Sequence, residues 1–167
     1  FAIASDTLGN VFATGFVDEG GTFGSYTIVG DSMADVFVTK LSPPIATQPT
    51  IASTNISSSV SNCDDINLNW TSGNGAYRLV IAKAGSAVSA FPVDGNSYTA
   101  NSTFGSGSYL GSGNYIVYSG SGNSCTVTGL TAGTRYYFAV IEFNGSGILT
   151  NYNTSTYPVT NVLASSF

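Results

Sequence analysis

Apolar and polar residues alternate along most of this chain, in short runs that Gly, Asn, Ser and Pro residues separate. In residues 66–70, Ile66, Leu68 and Trp70 fall on one face of such a run, and residues 135–143 repeat the pattern. A period of two residues is typical of a half-buried β-strand, and turn-forming residues between the runs indicate hairpins. The pattern predicts an all-β protein.

A proline-rich stretch divides the predicted strands into two groups. Three prolines stiffen residues 43–50 and remove backbone donors there, which predicts a linker between a domain at 1–42 and a second domain at 51–167. We expect four strands before the linker and strands A, B, C, C′, E, F and G after it, at residues 1–4, 11–16, 23–29 and 35–41, then 51–60, 66–70, 77–84, 115–118, 124–128, 135–143 and 158–164.

Asp6 and Gly9 are expected to close the first hairpin, with the Asp6 carboxylate accepting turn amides and Gly9 taking a positive φ. They begin a pattern that resembles a bacterial β-propeller repeat, matched here by Asp6, Gly9, Asn10, Val11, Phe12, Thr14, Gly15, Phe23, Gly24, Asp35, Phe37, Val38, Lys40 and Leu41. The resemblance implies a single four-stranded, blade-like antiparallel sheet. Because one blade cannot bury both of its faces, it should need further blades, the second domain or another chain beside it.

The second group of strands carries a different motif. Trp70 ends one predicted strand, Gly73-Asn74-Gly75 forms a turn after it, and Leu130 precedes Tyr136 at the start of strand F. This arrangement resembles a fibronectin type III (immunoglobulin-like) β-sandwich, in which such a tyrosine bonds back to nearby backbone. The resemblance implies that Trp70, Leu130 and Tyr136 meet in the core between two sheets.

The span 66–164 is similar to a variant of this domain that is frequent in secreted proteins of the Bacteroidetes group. Its motifs include Pro92-Val-Asp-Gly95 and Phe104-Gly-Ser-Gly107. Such proteins commonly leave the cell by the type IX secretion route, so the resemblance implies a secreted or cell-surface location. The chain opens on Phe1-Ala-Ile-Ala4, in mid-strand pattern, and we interpret it as part of a longer polypeptide whose other domains are its partners.

Charge and histidine content argue against several functions. The chain has 4 Lys+Arg against 9 Asp+Glu, so the clustered cations that bind nucleic acid are missing. No apolar run approaches the length of a membrane span. Histidine, the commonest general base, is absent. The acids fall in turns, at strand starts or singly on strand F, so we expect no enzyme activity, no catalytic residue and no cofactor.

Calcium is the one metal with candidate ligands. Asp64, Asp65, Asp94 and Asn96 offer hard oxygen atoms in loops, which calcium prefers. None of these belongs to a full ligand series, and the same residues are ordinary turn formers. The turn interpretation is therefore favoured.

Tyrosines crowd the span 85–122, which is longer than an ordinary connection between strands C and E. Aromatic faces stack on sugar rings, which makes Tyr98, Tyr109, Tyr115 and Tyr118 candidate glycan-binding residues. The alternative is that half or more of these side chains pack inward, and it is the favoured interpretation.

The two cysteines, Cys63 and Cys125, invite a disulfide in an oxidising compartment. Antiparallel pairing of strands B and E places Trp70 near Cys125 and Cys63 about 20 Å away, well beyond disulfide reach. We therefore favour two free thiols, with Cys125 filling a slot in the core.

These observations favour a non-enzymatic extracellular spacer or adhesion module within a larger secreted or cell-surface protein. One alternative is a carbohydrate-binding module of a polysaccharide-degrading enzyme, with polysaccharide as its partner. A second is a self-assembling surface fibre, in which unpaired strand edges in residues 1–42 add to neighbouring copies.

Overall fold

The computed structural model describes residues 2–7, 9–17, 21–23, 26–29, 35–62 and 64–165. The chain divides into two compact units, residues 1–44 and 45–167. The first unit contains β1 (Ala2–Ser5), β2 (Val11–Val17), β3 (Gly21–Phe23), β4 (Tyr26–Ile28) and β5 (Asp35–Leu41). The second contains β6 (Thr54–Asn62), β7 (Asp65–Thr71), β8 (Tyr77–Ala84), β9 (Tyr109–Gly111), β10 (Asn114–Gly120), β11 (Ser124–Val127), β12 (Arg135–Asn144), β13 (Asn151–Tyr152) and β14 (Val159–Leu163).

The first unit is a three-stranded antiparallel sheet in the order β1-β2-β5, together with the hairpin β3-β4. The first turn has the predicted chemistry: the Asp6 carboxylate accepts from the Asn10 amide at 3.0 Å, and Gly9 has a φ of 78°. The sheet differs from the predicted four-stranded blade in its third strand. Phe23 in β3 pairs with Tyr26 in β4, so the predicted strand 23–29 is divided between two antiparallel strands.

The second unit is a sandwich of two antiparallel sheets. The smaller sheet has the order β11-β7-β6, and the larger has the order β13-β12-β8-β10-β9, with β14 also paired to β12. In terms of the predicted strands this is E-B-A facing G-F-C-C′, the arrangement of a fibronectin type III-like sandwich. The all-β, immunoglobulin-like fold is therefore confirmed.

The inner faces of the two sheets enclose the first core. Trp70, Leu130 and Tyr136 all belong to this buried cluster, as the sequence analysis expects. The Tyr136 hydroxyl accepts a hydrogen bond from the Thr131 amide at 2.9 Å, which makes the tyrosine corner. This bond ties the turn before β12 to the core.

Removing the tyrosine-corner hydroxyl should weaken the fold modestly. We expect Tyr136→Phe to lower the free energy of unfolding by about 1 kcal/mol, because the Thr131 amide loses its partner while the ring keeps its packing. Urea denaturation followed by Trp70 fluorescence measures the change. Tyr109→Phe is the matched control: it loses only an exposed hydrogen bond from the Gly113 amide, at a residue that is 60% exposed, and should shift the midpoint much less. Equal midpoints for both variants would contradict the role assigned to Tyr136.

A second core covers the outer face of the larger sheet. Leu79, Ile81 and Ile116 are fully buried there. They belong with Ile141, Phe143 and Tyr152 to a cluster separate from the first core. The residues that cover this cluster come mainly from the connection between β8 and β10: Val88, Phe91, Tyr98, Ala100 and Leu110, with Tyr157 added from the segment before β14. The long connection is thus a third layer of the unit.

Backbone hydrogen bonds hold the third layer in place. The Ile116 amide donates to Ser108 O at 3.0 Å, and the Asn101 amide donates to Ile116 O at 3.2 Å. The buried Asn114 side chain accepts from the Ser89 amide at 3.1 Å. Because these bonds anchor the connection to β10 at several points, its irregular backbone has a defined position.

The predicted linker, 43–50, is bound to the second unit over much of its length. The Ala46 amide donates to Leu149 O at 2.8 Å, and the Gln48 side chain donates to Tyr152 O at 2.7 Å. Pro49 is buried. We call residues 45–53 the strap. Because the backbone–backbone hydrogen bonds of the strap go to loops, at Leu149 and Asn74, β6 begins at Thr54, three residues later than the predicted strand A.

Candidate functional site

The strap defines one end of the second unit, here called the strap pole. The turn between β7 and β8 and the segment that follows β12 also lie at this end. The Asn74 side chain accepts from the Thr50 amide at 3.0 Å and from the Ile51 amide at 2.9 Å. Gly145 has a φ of 81°, and a Cβ there would collide with Leu149 O and the Ala46 side chain. These loops therefore pack tightly against the strap.

A buried carboxylate, Glu142 in β12, holds the strap pole together. It accepts hydrogen bonds from the Ser53 hydroxyl, from the Gly73 amide at 2.7 Å and from the Gly75 amide at 3.0 Å. The Arg78 guanidinium lies 3.3 Å away, and both side chains of this ion pair are buried. In the sequence Glu142 is a single acid on predicted strand F, whereas in the structure it joins the strap, a turn and two strands.

The four candidate tyrosines of the sequence analysis do not form one binding surface. Tyr118 packs edge-on against Trp70, with 5.5 Å between ring centroids, and belongs to the first core. Tyr115 contacts Tyr109 at 5.1 Å and Phe104 at 5.2 Å. Tyr98 lies in the third layer, in another part of the unit. Ring contacts thus join Tyr109 to Tyr115, whereas Tyr118 contacts Trp70 and Tyr98 contacts Tyr152.

Tyr98 belongs instead to a row of four rings at the strap pole. Ring centroids are 5.4 Å apart between Tyr77 and Phe143, 5.1 Å between Phe143 and Tyr152, and 6.0 Å between Tyr152 and Tyr98. These rings line a groove of about 300 Å³, whose other walls include Ser97, Ser119, Ser146 and Thr150. We call it the aromatic groove.

Hydrogen bonds and packing fix the rings of the aromatic groove. The Tyr152 hydroxyl donates to Asn96 O at 2.9 Å, and the Tyr98 hydroxyl accepts from the Val93 amide at 3.0 Å. Burial, with the neighbouring Tyr98 and Asp94, raises the pKa of the Tyr152 phenol to about 12. Tyr77 stacks on the buried Phe143 with an angle of 28° between the rings, yet 43% of Tyr77 stays exposed.

The sequence analysis does not single out Tyr77 or Phe143 as site residues. Both lie at strand ends that meet at the strap pole, since Tyr77 begins β8 and pairs with Phe143 near the end of β12. The signal for them is that Tyr77 comes two residues after the Gly73-Asn74-Gly75 turn. An aromatic residue that closely follows a turn lies at the end of a strand, where its side chain can reach the surface formed by the loops.

Among the candidate calcium ligands, the Asp94 carboxylate and the main-chain carbonyls of Asn96 and Asp64 are engaged in local structure. Asp94 accepts from the Tyr152 amide at 2.7 Å, and Asn96 O accepts from the Tyr152 hydroxyl. Asp64 O accepts from the Leu130 amide at 3.2 Å. Within residues 2–165, leaving out the gaps in the described ranges, no three His, Cys, Asp or Glu side chains gather as a metal site would require.

Cys125 is a free cysteine that packs against the first core. It lies opposite Leu68, two residues from the predicted register, and the Trp70 amide instead donates to Asn123 O at 3.0 Å. Cys63 lies outside the described residues. Burial raises the pKa of the Cys125 thiol to about 12.

The raised pKa of Cys125 predicts a loss of stability at alkaline pH. In the unfolded chain the thiol ionises near its ordinary value of 9.0, whereas in the folded protein it stays protonated until about 12. The stabilisation is therefore complete below pH 9 and declines as the pH rises towards 12. Urea midpoints between pH 7 and 10.5 measure this decline. Cys125→Ala should make it shallower, and an unchanged decline in that variant would contradict the assignment.

No family model and no curated protein matches this sequence. Three solved structures resemble it at low identity. A fibronectin type III domain of human collagen XX is 16% identical over 73% of this chain and 99% of its own, with a TM-score of 0.40. Domains A168–A170 of titin are 12% identical over 95% of this chain and 41% of theirs, with a TM-score of 0.46.

The third structure is the d3–d4 region of the rat CD45 extracellular portion. It is 15% identical over 90% of this chain and 63% of its own, with a TM-score of 0.43. The strand order of the two sheets and the core that their inner faces enclose establish the immunoglobulin-like sandwich. Among the described residues no helix is long and apolar enough to cross a membrane.

Proposed function

We propose that this chain is a non-catalytic extracellular module that holds neighbouring parts of a larger protein at a fixed separation. The observation that carries the proposal is the position of the two ends of the second unit. The chain enters at the strap pole, where the strap is bound. It leaves at the opposite end, where Ala164 exchanges hydrogen bonds with Gly133 and Thr134 in the turn before β12.

The two ends are separated by the length of β12. This strand has 10 residues and runs from the turn at Gly133 to the strap pole, so the separation is about 30 Å. A module whose chain enters and leaves at opposite ends can be inserted between two others without folding the polypeptide back. The strap supports this role because its hydrogen bonds attach the entering segment of the chain to the sandwich.

The buried ionisable groups support a structural role over a catalytic one. Glu142 is enclosed by four donors, and Arg78 also donates to Ser121 O at 2.9 Å. Both oxygens of this carboxylate accept hydrogen bonds from the protein, so its part in the fold is to hold the strap pole together. The extracellular location rests on the resemblance to secreted proteins and stays a prediction.

Single-molecule pulling through the two ends of the chain tests the proposal. We expect the second unit to resist extension and then unfold in one cooperative step, because strap, sandwich and third layer are bonded together. Asn74→Ala, which removes the acceptor for two strap amides, should release the strap in a separate earlier step. Gradual extension of the unmodified chain, with no resolved step, would overturn the proposal.

The first unit favours a second role, as part of a larger β-structure. Its sheet exposes large apolar side chains on both faces: the strand register places Ile3 and Leu41 on one face and Phe16 and Val38 on the other. The edge strand β1 has four exposed side chains. A sheet of this kind is covered by neighbouring blades or by other copies of the chain.

Sedimentation velocity over a hundredfold concentration range distinguishes a sheet covered by other copies of the chain from one covered by neighbouring blades. If copies of this chain cover the sheet, the sedimentation coefficient should rise with concentration, and Ile3→Lys with Val38→Lys should abolish the rise. A constant monomer value would rule out self-assembly and favour other blades of the same polypeptide.

A further inference from the structure

We propose that the aromatic groove binds a neutral saccharide, with one sugar ring stacked on Tyr77. This binding site is separate from the spacing role and does not depend on it. It also differs from the surface that the sequence analysis considers, since Tyr109, Tyr115 and Tyr118 are not among its lining residues.

Four aromatic rings lie in a row along the groove. Tyr77, Phe143, Tyr152 and Tyr98 form consecutive ring contacts along the groove. Phe143 and Tyr152 are buried and form the support, while Tyr77 keeps an accessible face. An apolar face that is partly open to solvent suits a flat partner with aliphatic hydrogens, such as the face of a pyranose ring.

The lining of the aromatic groove is uncharged. None of the lining residues is acidic or basic, and the nearby Asp94 carboxylate accepts from the Tyr152 amide. Recognition of a phosphate or a carboxylate uses Arg, Lys or a cluster of free backbone donors. A groove without these groups therefore favours an uncharged ligand and argues against a nucleotide or an acidic polysaccharide.

Serine hydroxyl groups in the lining of the groove can bond to a ligand. The Ser97, Ser119 and Ser146 side chains line the groove and, among the residues that the structure describes, have no hydrogen-bond partner for their hydroxyls. A hydroxyl can both donate and accept, which matches the hydroxyls of a sugar. A purely apolar ligand, such as a lipid tail, would leave these groups without partners on binding.

The rings of the groove are held rigidly, and the volume of the groove suits a small ligand. The rings are held by packing and by the hydrogen bonds of Tyr98 and Tyr152, so binding would order few additional side chains. A volume of about 300 Å³ lies at the lower end of the range for ligand sites, about 300–1,000 Å³. The groove therefore suits a short stretch of a polysaccharide.

Affinity gel electrophoresis tests the inference with the full chain. The probes are three neutral polysaccharides, laminarin, galactomannan and arabinoxylan, and one acidic polysaccharide, polygalacturonate. We expect at least one neutral probe to retard the protein. Tyr77→Ala should weaken that retardation by about tenfold or more, as the loss of one aromatic anchor does.

Two further variants separate binding from folding. Ser119 is exposed on the outer face opposite Leu79, so Ser119→Trp should fill the groove without disturbing a core and should abolish retardation. Tyr109→Ala, an exposed tyrosine outside the groove, should retain it. Urea midpoints of all three variants should stay close to that of the parent chain.

Four results would overturn the inference. The first is no retardation by any neutral probe, and the second is equal retardation of the parent chain and Ser119→Trp. The third is retardation by polygalacturonate alone. The fourth is a proline-rich peptide that shifts the NMR signals of Tyr77 and Tyr98 while the neutral polysaccharides do not. In that last case the groove would be a peptide site.

Discussion

Glu142→Ala is expected to lower the free energy of unfolding of the second unit by about 3–5 kcal/mol. The substitution leaves the Arg78 guanidinium buried without its carboxylate. It also removes the acceptor for the Ser53 hydroxyl and for the Gly73 and Gly75 amides. Each lost partner adds a desolvation cost because these groups are shielded from water. A loss of this size is a large fraction of the stability of a typical domain, about 5–15 kcal/mol, so the variant should unfold at a much lower urea concentration.

Two companion variants show which of the Glu142 contacts matters most. Glu142→Gln keeps the shape and one acceptor oxygen, and it should be less destabilising than alanine. Glu142→Leu combined with Arg78→Met removes both charges, and it should still be destabilising by about 1–3 kcal/mol because the glycine amides remain without an acceptor. Urea denaturation measured by Trp70 fluorescence gives all three values. A cost below about 1 kcal/mol for Glu142→Ala would contradict the network.

Ile81→Ala is expected to cost about 2–5 kcal/mol, as truncations of fully buried isoleucine do. Ile81 lies in β8 on the outer face of the larger sheet, the face that an ordinary two-layer sandwich leaves in water. Its side chain is fully buried because the third layer packs over it. The size of the effect therefore measures whether the outer face is a core.

Val159→Ala is the matched control for this prediction. Val159 is also a β-branched residue in a strand of the larger sheet, but it is 62% exposed, so its truncation should change stability by less than about 0.5 kcal/mol. Similar small effects for Ile81→Ala and Val159→Ala would contradict the second core.

The sandwich could be predicted because its strands carry the period of two. Ile66, Leu68 and Trp70 alternate with polar residues, and the structure buries those three in the first core. The third layer could not be predicted in the same way. Its residues lie in an irregular segment, which has no period to indicate where side chains point. A signal was nevertheless present in Leu79-Val-Ile-Ala82, an unbroken apolar run of the kind that strands buried on both faces show.

The aromatic groove and the Glu142 network depend on contacts between residues distant in sequence. Ser53 and Glu142 are separated by 89 positions, and no local pattern joins them. The tyrosines of the long connection are visible in the sequence, but their partners are not, since Tyr98 meets Tyr152 only when the third layer folds over the sheet. The composition therefore indicates aromatic surfaces, while their arrangement is decided by tertiary packing.

The long connection between β8 and β10 packs on the outer face of the larger sheet as a third layer. Nuclear Overhauser spectra with labelled isoleucine methyl groups and aromatic rings test it most directly. We expect cross-peaks from the methyl groups of Ile81, Ile116 and Ile141 to the ring protons of Phe91 and Tyr98. If these methyl groups show no such cross-peaks and are freely accessible to a soluble paramagnetic probe, the third layer does not cover the sheet.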